Sequence, residues 1–311
     1  MPKTSNITIH GDAMSLKILT LACAVLISLA PPLYANMLIT YRAQESDTDK
    51  RYNYDTALLE FALKKTEATH GPYSLRPSPV MNYSRTKSTL MTNRYKNFFA
   101  KLSYDDRFKE TMDMDFVQFP VDLGIVGYRV FFLSRQTKNE LTDVKTLDML
   151  KTYTIGQGSG WSDVEILRAA GFKVIEVPTY ESLFKMVALN RFDLLSRGAN
   201  EVLDEYESHE QIKDFAFDTH ICLAYPLPRF FYTHSANQRA IERITAGLKL
   251  GYADRSVQKL WQKHYQKSID FVKLNKRKIF RISNPNIKNL DFDFQQYFYT
   301  PENADSPIPT P

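Results

Sequence analysis

The stretch YTIGQGSGWSDVEILRAAGFKVIEVPTYESLFKMVALNRFDLLSRG, residues 153–198, decides the fold class. Tyr153–Gly156 reads as a short buried strand that runs into Gln157-Gly158-Ser159-Gly160-Trp161. Ser162 and Glu165 are spaced as a capping box, with Ser162 at the N-cap, and the helix they open runs to Ala170. Gly171 then supplies a left-handed stop. Lys173–Val177 reads as a strand, Tyr180–Asn190 as a helix with Leu183, Phe184, Val187 and Ala188 on one face, and Phe192–Ser196 as the next strand. Strand, helix, strand, helix, strand is the order of a parallel α/β layer.

The same order appears upstream. Met37–Ala43 is a strand, residues 53–69 a helix closed by Gly71-Pro72, and Tyr73–Arg76 a short strand. Ser84–Thr92 is a second helix and Asn97–Leu102 a further strand. Helix, Asn93-Arg94-Tyr95, strand echoes helix, Asn190-Arg191-Phe192, strand, which predicts two α/β lobes of related design. Downstream, Ile221–Tyr225 and Arg229–Tyr232 read as strands around Pro226-Leu227-Pro228, followed by helices over Asn237–Asp254 and Val257–Tyr265. These last elements are expected to return to the first lobe. Phe292, Phe294, Tyr297, Phe298 and Tyr299 are expected to pack the C-terminal segment onto it.

Composition bounds the function. The 311 residues are 43% hydrophobic and 24% charged, which suits a globular chain with a substantial core. The net charge of +5 is spread out, with no basic stripe of the kind a nucleic-acid binder carries. Two cysteines exclude a disulfide scaffold and a multi-cysteine zinc site. The mean hydropathy of −0.36 and a single apolar run exclude a polytopic membrane protein. That run, Ile18–Ala30, follows Lys17 and precedes Pro31-Pro32 and Leu33-Tyr34-Ala35, the layout of an export signal. Residues 1–35 are therefore expected to be a signal peptide that starts at Met14 and directs the chain to the periplasm. Cys222 then stands alone, in a strand-like context that predicts a packed thiol.

Ligands of open α/β sheets sit at the carboxyl ends of the strands. That rule selects Arg42 and Glu45 after the first strand, and Arg107 after Asn97–Leu102. In the second lobe it selects Gly158, Trp161 and Ser162 at a helix N-terminus, and Arg197 and Glu201 after Phe192–Ser196. A helix N-terminus with free N–H groups suits a carboxylate or phosphate. Each choice has a structural alternative. Arg42 with Glu45 reads equally as an ion pair, and Arg107 as one member of a charge cluster with Asp105 and Asp106. Trp161 reads also as core, and Arg197 with Glu201 as a buried pair holding a turn. No His or Cys pair has metal-ligand spacing, and no nucleophile elbow is present. The residues suit holding a small anion and provide no machinery for transforming one. No cofactor is expected.

Several segments resemble the bacterial extracellular solute-binding proteins of family 3, which include periplasmic amino-acid receptors of ABC transporters. They are Ile39-Thr40-Tyr41-Arg42 with Glu45-Ser46, Leu123–Arg129, Gly156–Asp163, Ala170-Gly171-Phe172, Arg191–Glu201 and Asn284-Pro285. The resemblance covers residues 37–298 and is closest to a divergent branch. It implies a type II periplasmic-binding-protein fold: two lobes, each a mostly parallel sheet flanked by helices, hinged by two crossovers near Gly127 and Pro226. The implied division is 36–126 for the first lobe, 127–225 for the second, 226–298 for the return, and 299–311 for a disordered tail. Arg107 stands where family members hold a ligand carboxylate. The second-lobe acid that holds the ligand amine is missing at Ser196-Arg197-Gly198; Glu201 stands one turn beyond. The resemblance implies a monomeric, non-enzymatic receptor for a small, anionic or amino-acid-like solute, which it passes to an inner-membrane transporter or a sensor. Two alternatives stay open. One is an enzyme on the same scaffold, resembling cyclohexadienyl dehydratases and using Glu45 or Glu201. The other is a ligand-free interaction module whose cleft is filled by its own aromatic side chains.

Overall fold

A computed structural model describes residues 35–45, 49–111 and 113–300, together with 1, 3 and 4. The expected export signal, but for residues 1, 3, 4 and 35, and the tail beyond Thr300 lie outside the described residues, whereas Tyr299, expected to open the disordered tail, packs on Trp261 and donates its N–H to the Leu123 carbonyl. Residues 36–300 build two mixed sheets flanked by helices. The first contains β1 (Met37–Tyr41), β2 (Tyr73–Pro77), β3 (Phe98–Ser103), β4 (Met114–Phe116) and β11 (Arg229–His234), in the order β2-β1-β3-β11-β4. The second has the order β12-β10-β5-β8-β6-β7. Its strands are β5 (Tyr128–Ser134), β6 (Thr154–Gly158), β7 (Lys173–Val177), β8 (Leu194–Gly198), β10 (Ile221–Ala224) and β12 (Lys278–Arg281). A short β9 (Phe215–Phe217) also pairs with β5.

Four of the parallel pairs are those the strand–helix–strand order predicts: β1 with β2 and β3, and β6 with β7 and β8. β5 and β11 run antiparallel to their neighbours. β5 sits between β8 and β10 and is buried along its whole length, so its run Tyr-Arg-Val-Phe-Phe-Leu-Ser shows no alternation. Without alternation, the periodicity predicts no strand there.

The helices are placed by their apolar spacing. α1 (Asn53–Lys65) buries Leu58, Leu59, Ala62 and Leu63 in one core with Ile39, Phe99 and Phe231 of the first sheet, and α2 (Tyr83–Met91) packs on β3 and β11. α3 (Ser162–Ala169) and α4 (Tyr180–Ala188) cover the second sheet, and Gly171, at φ 90°, ends the first of them as expected. α5 (Val202–His209) follows β8. α6 (Gln238–Ala253) lies on α1, and α7 (Ser256–Val272) touches α1, α5 and α6. Arg243 of α6 is fully buried and has no carboxylate partner among the described residues. Its guanidinium donates instead to the carbonyls of Leu63 (3.2 Å) and Gly71 (2.6 Å) and to Thr66 Oγ1 (3.2 Å). It thus satisfies carbonyls that a helix end leaves open.

Two expectations need correction. The Ser162 side chain caps nothing: Trp161 is the N-cap residue and Ser162 the first helical one, so the Ser162–Glu165 spacing is not a capping box. The segment 226–298 does not return wholly to the first sheet either. After α7 the chain adds β12 to the free edge of β10, in parallel register from Ile221↔Lys278 to Ala224↔Arg281. It then crosses back, where Phe292 meets Phe116 and Phe230, and Tyr297 meets Phe119. Four residues, Lys-Ile-Phe-Arg, are too short a signal to say which sheet they join.

Candidate functional site

The carboxyl ends of β1, β3, β6 and β8 face one another across a cleft. A cavity of about 90 Å³ lies there, lined by Arg42, Glu45, Arg51, Tyr83, Lys101 and Arg229 from the first lobe. Trp161, Ser162, Asp163, Arg197 and Glu201 line it from the second. Five of these side chains are cationic and three are carboxylates, and nearly every charge has a partner from the chain itself.

Arg42 is 6% exposed. Its Nη2 donates to Glu45 Oε1 at 2.7 Å and its guanidinium lies 4.5 Å over the Tyr52 ring. Its Nε is buried with no acceptor among the described residues. Lys101 bridges Asp55 (2.7 Å) and Asp122 (3.1 Å). Burial pushes the Asp55 carboxyl up to about 6, against the pull of the Lys101 ammonium. Arg229 Nη1 reaches Glu201 Oε1 at 3.3 Å and so ties the first lobe to the second. Glu201 also accepts from Arg197 Nη2 at 2.9 Å and from the Gly198 N–H at 3.1 Å. Burial alone would raise the Glu201 carboxyl; the Arg197 and Arg229 charges outweigh it and hold that carboxyl well below the usual range. Asp163 is held by Arg129 (2.8 Å) and by the Tyr225 hydroxyl (2.5 Å).

Arg42, Glu45, Trp161, Ser162, Arg197 and Glu201, selected from strand ends, therefore come together around one cavity. Gly158 is next to it: a Cβ there would lie 2.3 Å from the Trp161 ring, so the glycine lets the indole lie flat on the backbone. Arg107 does not line this cavity. It is 57% exposed at the side chain and pairs with Asp105 and, at 2.7 Å, with Glu165 of the opposite lobe. Glu165 belongs to the helix whose N-terminus was selected as an anion site, so two expected ligand groups engage each other's neighbourhood directly. The buried-pair alternative for Arg197 has full geometric support: Glu205 is a second carboxylate partner at 2.6 Å.

Arg51, Tyr52, Tyr83, Lys101, Asp163 and Arg229 escaped the sequence reading. Lys101 and Arg229 did carry a signal. Each is one cation in a run of strand formers, NFFAKLS and RFFYTH, where a charge needs a buried partner. A second cavity of about 400 Å³ adjoins the first and shares Arg51, Lys101 and Glu201 with it. Its walls add Tyr54, Tyr180, Asp204 and His264. Among the described residues no cluster of His, Cys, Asp and Glu could hold a metal ion.

No family model matches the chain, and no curated protein matches it either. Solved structures do. A periplasmic binding protein of an arginine transport system from Legionella pneumophila superposes with a TM-score of 0.56 at 11% identity, over 74% of this chain and 100% of that one. The fold is that of the two-lobe periplasmic binding proteins. An ancestral arginine-binding protein bound to arginine gives a TM-score of 0.52 at 14% identity, over 75% of this chain and 99% of that one. A histidine kinase sensor domain with similarity to periplasmic binding proteins gives 0.53 at 13%, over 74% and 96%. At such identities the likeness carries the architecture and leaves the ligand to be argued from the cleft.

Proposed function

We propose that this protein is a solute-binding protein of the family 3 type that captures a small anionic or amino-acid-like solute, bound through its carboxylate, between its two lobes. In this reading it is exported to the periplasm and hands the solute to an ABC-type transporter or presents it to a sensor. One observation carries the reading: the buried Arg42 Nε, without an acceptor among the described residues, stands among Arg51, Lys101, Arg197 and Arg229 around a small cavity fed by both lobes. A buried donor left unpaired is costly, and a carboxylate oxygen removes that cost. The modest volume favours a short solute. Closure follows from contacts made by the solute with both lobes at once.

An enzyme on this scaffold needs a carboxylic acid that holds a proton near neutrality. Glu201 is unsuited to that task because two arginines keep it ionised. A ligand-free module has one observation in its favour: the rings of Tyr52, Trp161 and Tyr180 are covered by the chain's own Arg42, Arg197 and Arg51. A thermal-shift screen of the purified protein against short carboxylates, dicarboxylates, keto acids and amino acids separates the three. A solute at about 100 times its dissociation constant adds about 2.7 kcal/mol of stability, a shift of several degrees. The receptor reading expects a hit recovered unchanged that Arg42→Gln abolishes. Consumption of the hit would establish an enzyme, and silence across the panel would favour the ligand-free module.

A further inference from the structure

Arg51, Lys101 and Glu201 line both cavities of the cleft. The Arg51 guanidinium lies 4.1 Å over the ring of Tyr180 from the second lobe and 5.2 Å from the centre of the Tyr52 ring of the first. Asp49, 5% exposed, accepts from Arg51 Nε at 2.7 Å and from Nη2 at 2.9 Å, and Glu45 Oε1 lies 3.4 Å from Nη2. Two aromatic faces and a buried bidentate carboxylate are the components of a binding site for a planar cation. Here the cation comes from the chain.

We infer that Arg51 is a tethered occupant of a guanidinium site built between the two lobes, and that it determines specificity by excluding cationic solutes from the cleft. Three features point the same way. The partners of the guanidinium come from both lobes, so its stacking on Tyr180 contributes to closure in the way a bound solute would. Asp49 is buried and faces this guanidinium, so an uncharged side chain at 51 would leave a carboxylate without its counter-ion. The Tyr180 hydroxyl is fixed by Glu205 at 2.7 Å, and Glu205 is itself fixed by Arg197, so the ring holds its place without help from Arg51. Removing the Arg51 side chain therefore leaves the slot standing, lined by an acid and two rings.

The inference concerns the cleft of the proposed receptor and rests on that reading only in assuming that the cleft admits solutes; the anion enters neither its argument nor its test. Arg51→Ala is titrated with millimolar methylguanidinium chloride, with methylammonium chloride at equal ionic strength as the control, and the melting temperature is followed. Arg51→Ala is expected to gain several degrees with methylguanidinium and little with methylammonium, while the wild type gains nothing. Arg51→Ala/Tyr180→Leu is expected to lose that gain. An Arg51→Ala protein that folds and ignores methylguanidinium overturns the inference, as does a wild type that responds equally. If Arg51→Ala folds only when methylguanidinium is present, the inference is supported in its strongest form. Failure to fold even then, while Arg51→Lys folds, overturns it. Failure of the receptor reading shows separately, as silence of the wild type toward carboxylates.

Discussion

Arg197 and Glu205 form a buried, two-point pair: Nη2 to Oε1 at 2.6 Å and Nε to Oε2 at 2.9 Å, with the arginine 3% exposed. Arg197 is the penultimate residue of β8 and Glu205 lies on α5, so the pair fixes the helix to the strand end at the cleft wall. Glu201 completes a triad by accepting from the same guanidinium. In such an arrangement each charge is tolerable only because the others are present.

Arg197→Ala is accordingly expected to destabilise the protein by about 3–5 kcal/mol, since it takes the counter-ion from buried Glu205 and one of the two arginines from Glu201. This differs from the expectation for a cleft arginine that serves a ligand alone, whose removal would spare the fold. In a double-mutant cycle by urea unfolding, Arg197→Ala with Glu205→Ala should cost less than the sum of the single changes. Additive costs would show that the two side chains act independently.

The pH dependence of stability should contain a contribution from Asp55. Its carboxyl is pushed up to about 6 from an ordinary value of 3.8, with burial as the main cause. The folded state therefore binds this proton more tightly than the unfolded state. The contribution is fully present below about 3.8 and is lost as pH rises through about 6. Glu201, with its lowered carboxyl, acts in the opposite sense: its contribution is present above 4.5 and is lost as pH falls. Asp55→Asn should remove the first slope and leave the second. Melting temperatures of the variant and wild type between pH 4 and 7 check this, and parallel profiles would contradict it.

Gly247 of α6 lies against the backbone of α1, where a Cβ would come within 2.2 Å of the Ala62 carbonyl oxygen. The partner atom is backbone and cannot swing aside. Gly247→Ala should separate the two helices and cost about 1–3 kcal/mol, despite the better helix propensity of alanine. A neutral or stabilising result in chemical denaturation would show that the helices can slide apart freely.

Cys222 is fully buried in β10, and burial pushes its thiol up to about 12. The native protein should therefore react with a thiol reagent only at the rate of unfolding. Cys222→Ser should cost about 1–3 kcal/mol by placing a hydroxyl in an apolar site. Fast labelling of the folded protein would place the thiol within reach of solvent.

Much of the fold was legible because its information is local. Apolar spacing in Leu58-Leu59-Ala62-Leu63 and Leu183-Phe184-Val187-Ala188, the stop at Gly171 and the strand Lys173–Val177 all follow from residues within one or two turns of each other. The rule that ligands meet strand ends then brought six of eight selected residues to one cavity, and it needed no side-chain geometry. β5 and β12 were not legible. The first is apolar on both faces because neighbours cover both, and the second is too short to name its partner.

What the sequence determined by itself is therefore the order of most elements, β5 and β12 excepted, the two-lobe class and the loops that face the cleft. Tertiary structure alone decided which charge answers which. Arg107 meets Glu165 across 58 positions, Arg229 meets Glu201 across 28, and Arg51 meets Tyr180 from the other lobe. Helix and strand periodicity is written in near neighbours, whereas the pairing of buried charges depends on distances that exist only once both lobes are folded and facing each other.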